Sequence, residues 1–213
     1  MQQDAIERLF SHLASLNPEP ETELHYQSPF QLLVAVMLSA QSTDAGVNKA
    51  TKELFRTAPT ARRMTELGED GIKPYISSLG LYNSKARHLY HASCILAEQH
   101  DGEVPRDRKA LEALPGVGRK TANVLLNILF GEPTIAVDTH IFRVGNRTGL
   151  APGKTPLEVE RRLMQVVPKA YLLHAHHWLI LHGRYTCIAR KPRCPECPVQ
   201  EECEWAEKTS LLR

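Results

Sequence analysis

Apolar residues recur along most of the chain at three- and four-residue steps, which is the spacing of one face of an α-helix. The N-terminal series comprises Ile6, Leu9, Phe10, Leu13 and Leu16, and similar series occupy residues 47–54 and 86–90. No stretch shows the two-residue alternation that a half-buried strand requires. The pattern therefore predicts an all-α fold of roughly ten short helices joined by turns.

One predicted helix is apolar on nearly all sides. The run from Phe30 to Leu38 is almost wholly hydrophobic. Ser28 and Pro29 precede this run and provide an N-cap followed by a first-turn proline. We expect this helix to be buried within the fold.

Other helix starts are predicted from capping patterns. Residues 155–158, Thr-Pro-Leu-Glu, have the spacing of a capping box, in which the Glu158 side chain reaches back to the Thr155 N–H. Asp44 and Ser84 are further candidate caps. These patterns divide the chain into short helices without any sign of a long repeat.

Composition and length are typical of a globular protein. The chain has 213 residues, of which 42% are hydrophobic and 23% are charged, as in ordinary soluble domains. Its longest purely apolar run, residues 32–38, is far shorter than the ~20 residues of a membrane-spanning helix. The N-terminus lacks the basic and apolar segments of a secretory signal. We therefore expect one large or two small soluble domains.

Charge is distributed unevenly, although the net charge is only +2. Residues 143–193 contain ten Lys or Arg against two Asp or Glu, a local net charge of +8, and the segments on either side are each net −3. Such a basic block can attract a polyanion and release its counterions. A solvated basic face would give the same count, so both interpretations stand on charge alone.

A segment near the middle of the chain has the pattern of two helices joined by a tight turn. Pro115 stops the first helix, and Gly116 and Gly118 permit positive φ before the second. Such a turn directs backbone N–H groups outward at a helix N-terminus, where they can bind a DNA phosphate without reading a base. The spacing matches neither a P-loop nor a Rossmann fingerprint. The residues fit a phosphate-binding helix–hairpin–helix or a plain helical hairpin.

Four of the five cysteines lie within seventeen residues near the C-terminus. They are Cys187, Cys194, Cys197 and Cys203, while Cys94 stands alone on a predicted helix and is expected in the core. One Cys-x-x-Cys pair with two flanking cysteines can surround a single four-thiolate metal site. The spacing fits zinc or an iron–sulfur cluster equally, and structural disulfides are a third interpretation.

Several motifs together resemble the helix–hairpin–helix DNA glycosylase superfamily. The segments that carry the resemblance are Leu114-Pro115-Gly116-Val117-Gly118-Arg119-Lys120-Thr121-Ala122, Val137-Asp138-Thr139-His140, Leu38-Ser39-Ala40-Gln41 and Gly80-Leu81-Tyr82-Asn83-Ser84-Lys85. The tail spacing Cys-x6-Cys-x2-Cys-x5-Cys is similar to that of the endonuclease III branch, which carries an iron–sulfur cluster. The resemblance implies a six-helix barrel domain at residues 23–132, with the helix–hairpin–helix at 108–130. It also implies a second domain, formed by residues 1–22 and 133–213, with a [4Fe–4S] cluster on the four clustered cysteines.

The resemblance assigns catalysis to Lys120 and Asp138. Lys120 directly follows the hairpin, where the positive end of the second helix and partial burial in a cleft would disfavour the ammonium form. A neutral amine can displace a base at C1′, form a Schiff base and allow β-elimination of the 3′-phosphate. Asp138 matches the family's acid–base partner and also precedes a predicted helix as a favoured N-cap. These two roles of Asp138 are compatible.

Further residues are expected to contact DNA. They are, in chain order, Gln41, Leu81, Gly116, Gly118, His140, Arg190, Lys191 and Arg193. In the family, residues matching Gln41 and Leu81 fill the hole that an extruded base leaves. His140 either lines the catalytic cleft or is an exposed helix residue. Cluster ligation at both ends would shape the basic loop at 190–193 and present it to phosphates.

These expectations define a bifunctional DNA glycosylase and AP lyase of base excision repair. It would excise oxidised pyrimidines from duplex DNA and cleave 3′ to the abasic site by β-elimination. One alternative is a monofunctional glycosylase of the same fold, a branch that usually lacks the hairpin lysine. A second is a non-catalytic DNA-binding module with a structural zinc. We expect a monomer in the cytoplasm of a bacterium or archaeon, bound to nucleoid DNA and not to a membrane.

Overall fold

A computed structural model describes residues 1–208 of the chain, and within that range it contains helices and turns but no strand. The helices are α1 (Gln3–Leu16), α2 (Pro29–Leu38), α3 (Asp44–Thr57), α4 (Ala61–Ile76), α5 (Tyr82–Gln99), α6 (Arg108–Glu112), α7 (Arg119–Phe130), α8 (Thr139–Thr148), α9 (Pro156–Val166) and α10 (Leu172–Tyr185). A 3₁₀ turn follows at Cys194–Glu196. Within the same range, no helix combines the length and apolar character that crossing a bilayer requires. The predicted all-α class is confirmed.

The chain folds into two compact units. One is the continuous segment Glu23–Phe130, which contains α2 to α7, and the other joins Met1–Thr22 to the chain from Gly131 onward. Each unit has its own hydrophobic core. Each core is built from residues of its own unit alone.

Helix α2 lies at the centre of the Glu23–Phe130 unit. Every side chain from Phe30 to Leu38 is buried, including the polar Gln31, whose Oε1 accepts a hydrogen bond from the Gln27 N–H at 2.8 Å. The Ser28 side chain caps the helix by accepting a bond from the Gln31 N–H. The helix packs against α3, α5 and α7. The prediction of a buried helix with a serine cap is therefore confirmed.

Two helix starts differ from the prediction. Helix α3 is capped by Thr43, whose Oγ1 accepts a bond from the Gly46 N–H, and Asp44 is its first helical residue. Helix α5 follows Leu81, so Ser84 lies in the first turn and not at the cap. The sequence places several polar residues side by side at these starts, and spacing alone does not choose between them.

Of the two hydrogen bonds predicted for the capping box at α9, one is confirmed and the other is replaced. Thr155 Oγ1 accepts a hydrogen bond from the Glu158 N–H. The Glu158 carboxylate, however, accepts from the Lys154 N–H at 2.7 Å and not from Thr155. The reciprocal bond is thus displaced by one residue.

The second unit is built around α1, α8 and α10. Helix α1 packs on α10, and α8 packs on both α9 and α10. Ile6, Leu9, Phe10 and Leu13 are buried as the periodic pattern predicts, whereas Leu16 is 67% exposed. Leu16 is the last residue of α1 and lies outside the core that the pattern assigned to it.

The turn between α6 and α7 contains the two hairpin glycines. Gly116 has a φ of +81°, and a Cβ at this position would lie 2.9 Å from His88 Cβ on α5. Gly118 does not have a positive φ, contrary to the prediction, and no atom lies within 4 Å of the place its Cβ would occupy. Leu114 and Val117 are buried on the inner side of the turn. Gly116 is therefore required by backbone and packing, and Gly118 is not.

Substituting each glycine by alanine separates these requirements. Gly116→Ala should destabilise the protein by about 1–3 kcal/mol, because alanine is strained at positive φ and meets His88. Gly118→Ala should change the free energy of unfolding by less than about 1 kcal/mol. Urea unfolding followed by circular dichroism measures both changes. An equal loss in the two variants would show that the turn does not constrain Gly116.

Candidate functional site

Gln41 and Leu81 are two of the three non-glycine residues of the Glu23–Phe130 unit with a positive φ, and the third is Asp101. Gln41 (φ 55°) lies in the turn after α2, and Leu81 (φ 59°) lies directly before α5. This conformation costs a non-glycine residue about 1–2 kcal/mol, so it persists where the surrounding structure imposes it. Leu81 is 62% exposed. Both turns thus present a side chain to solvent from a constrained backbone.

These two turns border one cavity of about 240 Å³. Its lining includes Met37, Gln41, Leu81, Lys85, His88 and Gly116. Because Gly116 belongs to the hairpin, the cavity also borders the turn between α6 and α7. The structure therefore brings three of the predicted DNA-contact residues, Gln41, Leu81 and Gly116, around one opening.

Lys120 lies in the first turn of α7, where backbone N–H groups have no partner within the helix. Its side chain is exposed in the protein without DNA. The predicted partial burial of its amine is therefore wrong for the free protein. The first turn of α7 contains no acidic residue to offset the positive end of the helix. This end therefore favours an anion and disfavours an added positive charge.

Asp138 is the N-cap of α8, as predicted. Its Oδ1 accepts hydrogen bonds from the backbone N–H groups of His140 at 2.9 Å and Ile141 at 2.8 Å. Asp138 is half-buried, and His140 is half-buried beside it. The cap uses one of the two carboxylate oxygens. Oδ2 therefore remains for a second partner, so capping and chemistry do not compete for the same atom.

Two arginines of α8 hold the chain that follows α10. Arg143 donates from Nη2 to the Gly183 carbonyl at 2.6 Å and from Nε to the Cys187 carbonyl at 2.9 Å. Arg147 donates to the Ile188 carbonyl at 2.8 Å and to the Ala189 carbonyl at 3.2 Å. Both side chains belong to the basic block counted in the sequence. Part of that block is therefore structural and not directed at a partner.

The loop fixed in this way carries the three predicted basic residues. Arg190, Lys191 and Arg193 are all exposed. The Arg193 N–H closes the loop by donating to the Thr186 carbonyl at 3.0 Å. Arg147 also stacks over the Trp205 ring, with its guanidinium carbon 4.6 Å from the ring centre. Contacts within the protein thus hold the loop in shape, in addition to any bonds that its cysteines make to a metal.

The four clustered cysteines lie in this same unit as free thiols, with Cys187 and Cys194 buried and Cys197 and Cys203 half-buried. None of them forms a disulfide, so that interpretation is not supported. Burial, followed by the charge of neighbouring sulfurs, raises the pKa of Cys197 to about 11. Burial also raises the pKa values of Cys194 and Cys203. Such thiols would be protonated at neutral pH and would lose their protons on binding a metal.

Hydrogen-bond donors point at these sulfurs. Arg147 Nη1 lies 3.6 Å from Cys187 Sγ. The backbone N–H groups of Val199 and Trp205 bond Cys197 and Cys203 and oppose the rise in their pKa. Among residues 1–208, no three Cys, His, Asp or Glu side chains converge as one metal ion requires. Thiols with N–H donors directed at them can ligate a metal as thiolates, in a zinc site or in an iron–sulfur cluster.

The predicted site residues fall into two groups. Gln41, Leu81, Gly116, Gly118 and Lys120 belong to the Glu23–Phe130 unit, whereas Asp138, His140, the basic loop and the clustered cysteines belong to the other unit. Cys94 stands apart from both groups, on α5. It is half-buried, so its expected place in the core is wrong.

Three residues at these sites were not predicted: Lys85, Arg143 and Arg147. Lys85 is only 7% exposed, although lysine is seldom buried. It ends one of the segments that carry the family resemblance, but no helical or capping pattern predicts its burial. Arg143 and Arg147 are four residues apart and so share one face of α8. That spacing could have separated them from the exposed basic residues of the loop.

Comparison with known proteins gives one consistent match. Residues 34–169 match the family described as HhH-GPD superfamily base excision DNA repair protein. Endonuclease III of Escherichia coli (strain K12) is 60% identical over 203 residues, which cover 95% of this chain and 96% of that protein. Endonuclease III of Haemophilus influenzae (strain ATCC 51907 / DSM 11121 / KW20 / Rd) is 59% identical over the same length and shares of the two chains.

Solved structures agree with the sequence relatives. A trapped endonuclease III–DNA covalent intermediate, in an estranged-adenine complex, matches with a TM-score of 0.91 and 42% identity over 100% of both chains. A thermostable thymine-DNA glycosylase matches with a TM-score of 0.84 at 23% identity, over 96% of this chain and 98% of that one. The second likeness is one of fold alone.

Proposed function

The chain belongs to the HhH-GPD superfamily of base excision DNA repair proteins and, within it, to the endonuclease III family, and from this premise we propose how its residues act. It is a DNA glycosylase and AP lyase whose partner is double-stranded DNA. We infer that it excises oxidised pyrimidines and cleaves the resulting abasic sites. We also propose that it acts as a monomer on nucleoid DNA in the cytoplasm, as a member of a family found in bacteria. The observation that carries the proposal is Lys120 at the exposed N-terminal end of α7.

Lys120 supplies the nucleophile. Its unprotonated amine attacks C1′ of the damaged nucleotide, the bond from C1′ to the base breaks, and the base leaves with the electron pair and takes up a proton. Opening of the sugar ring gives a Schiff base between Nζ and C1′. Loss of a 2′ proton then expels the 3′-phosphate by β-elimination, and water releases the enzyme.

Asp138 assists with the oxygen that the helix cap leaves available. A carboxylate there can accept a proton from the amine and stabilise the positive charge that develops at C1′. The two N–H groups on Oδ1 fix the orientation of the carboxylate. His140 donates one of these bonds and lies in the first turn of α8, where it is a further DNA contact.

Gln41 and Leu81 occupy the base stack when the damaged base leaves it. Extruding a base costs a few kcal/mol of lost pairing and stacking, and side chains that fill the gap recover part of that cost. Both residues border one cavity and extend from constrained turns. Gly116 and Gly118, both exposed, offer backbone N–H groups to a nearby phosphate.

The basic loop at 190–193 binds phosphates of the DNA backbone. Its three charged side chains are exposed, while Arg143 and Arg147 are bonded to backbone carbonyls beside it. Phosphates carry no sequence information, so these contacts add affinity for any duplex. The loop therefore contributes to binding and not to lesion recognition.

Cys187, Cys194, Cys197 and Cys203 hold a [4Fe–4S] cluster in this proposal. Support comes from four free thiols, three of which are close enough for the charges of the other sulfurs to act on them, and from the N–H donors directed at Cys187, Cys197 and Cys203. When bound, the cluster cross-links the start and end of the basic loop to the segment that follows it. No step of base excision is assigned to it.

Borohydride reduction during turnover tests the nucleophile. It should convert the Schiff base into a permanent link between the wild-type enzyme and a duplex that contains an oxidised pyrimidine. Lys120→Gln should abolish this adduct while circular dichroism shows an unchanged fold, because Lys120 is exposed. Lys109→Gln, at an exposed lysine of α6, is the matched control and should form the adduct normally. An undiminished adduct in Lys120→Gln would contradict the assignment.

Metal analysis tests the cofactor. Purified protein should contain about four irons and about four acid-labile sulfides per chain. Cys203→Ser should lose most of both, because a serine oxygen is a poor substitute for a thiolate ligand. Cys94→Ser is the control and should retain them, since Cys94 lies on α5, outside the cysteine-rich segment. Stoichiometric zinc without iron would instead support the non-catalytic DNA-binding module.

A salt series tests the basic loop. Lys191→Ala should weaken binding to damaged and undamaged duplexes by the same factor. It should also make the slope of log K against log salt shallower by about one unit. Lys191→Glu should weaken binding further, because it adds repulsion. Lys169→Ala removes an exposed charge of the same basic block outside the loop, and it should have a smaller effect. Selective loss for damaged DNA with an unchanged slope would show that the loop does not clamp phosphates.

A further inference from the structure

The cavity of the Glu23–Phe130 unit contains a buried lysine that the proposed reaction does not use. Lys85 lies in the first turn of α5 and is 7% exposed, and its Nζ donates to Ser42 Oγ at 2.8 Å. Burial lowers the pKa of Lys85, and no carboxylate among residues 1–208 contributes to offset this effect. Burying an amine against a single hydroxyl is costly. Its position therefore calls for an explanation other than stability.

The hydrogen bond between Lys85 and Ser42 links the two left-handed turns. Ser42 directly follows Gln41 in the chain, and the Lys85 N–H donates to the Leu81 carbonyl at 3.0 Å. The turns also approach each other through the backbone, since a Cβ at Gly80 would lie 3.8 Å from the Gln41 carbonyl oxygen. One side chain thus extends from the helical turn that follows Leu81 to the residue beside Gln41.

We propose that Lys85 is a positioning residue that, through Ser42, sets the separation between Gln41 and Leu81 and hence the fit of both side chains in the gap left by an extruded base. The proposal rests on the roles assigned to Gln41 and Leu81 in base extrusion. Left-handed backbones at these residues persist only under constraint, and the bond from Nζ to Ser42 Oγ is a constraint that acts on both turns. Lys85 acts through Ser42 and does not contact the reacting atoms.

A double-mutant cycle tests the link. Lys85→Met keeps the apolar stem but cannot donate to Ser42, and Ser42→Ala removes the acceptor. Each should slow single-turnover excision of an oxidised pyrimidine by about 5- to 20-fold. The double variant should be no slower than the slower single variant, because both remove the same bond. Ser42→Thr, which keeps the hydroxyl, should restore most of the rate.

A lysine outside the cavity controls for the lost charge. Lys73 on α4 is paired with Glu69 and Asp70 and does not line the cavity, so Lys73→Met makes the same substitution outside it. Its excision rate should stay within about twofold of wild type, because a charge paired with two carboxylates acts on DNA only through the screened field. A loss equal to that of Lys85→Met would assign the effect to charge and overturn the proposal.

Fluorescence of 2-aminopurine placed opposite the lesion distinguishes positioning from general stability. Wild-type enzyme should raise the fluorescence on binding, because insertion disturbs the stacking of this base. Lys85→Met and Ser42→Ala should reduce the rise even where urea unfolding shows folded protein. Gln41→Ala could reduce the rise in fluorescence while Lys85→Met and Ser42→Ala leave it unchanged. That result would overturn positioning by Lys85 but not the insertion of Gln41 into the base stack.

An unchanged rise in Gln41→Ala would instead contradict insertion itself, and the role of Lys85 with it. Should Lys85→Met fail to fold, the comparison of Ser42→Ala with Ser42→Thr decides by the same measurements. Equal fluorescence and equal rates in those two variants would overturn the proposal.

Discussion

The burial of α2 constrains the whole Glu23–Phe130 unit. A helix that is apolar on every side is stable only when other helices enclose it, and here α3, α5 and α7 do so. This enclosure brings the end of α2 beside the start of α5 and the hairpin, so Gln41, Leu81 and Gly116 border one cavity. The location of the proposed base-extrusion site is therefore a consequence of core packing. A substitution in this core would alter the site even if it left Gln41, Leu81 and Gly116 unchanged.

In the other unit, a single helix serves two purposes. Helix α8 begins at the cap residue Asp138, and its arginines 143 and 147 bind the chain that carries the basic loop. An α-helix rises about 1.5 Å per residue and is stiff over such a short length. The distance from the carboxylate to the loop is therefore set by helix geometry. The proposed chemistry and the proposed phosphate grip of this unit share one rigid support.

Local patterns predicted the features that depend on local interactions. The burial of α2 and the cap at Asp138 were predicted because hydrophobic runs and cap residues act within a few positions of the chain. Gly118 was assigned a positive φ that the turn does not use, since only Gly116 meets a side chain from another helix. Lys85 and Arg147 were missed because burial and bonds to distant carbonyls are tertiary properties. The catalytic role of Lys120 rests on family membership and its place on α7, and it stays a prediction.

The left-handed backbones at Gln41 and Leu81 have a consequence for engineering. Glycine at either position would relieve about 1–2 kcal/mol of backbone strain. A search for thermostable variants would therefore favour glycine there, and each such gain would delete a side chain proposed to enter the duplex. Stability and activity are thus opposed at these two positions, and Lys191 of the basic loop, which also has a positive φ, presents the same conflict. Heat tolerance in this enzyme would therefore be limited at the turns whose side chains are proposed to contact DNA.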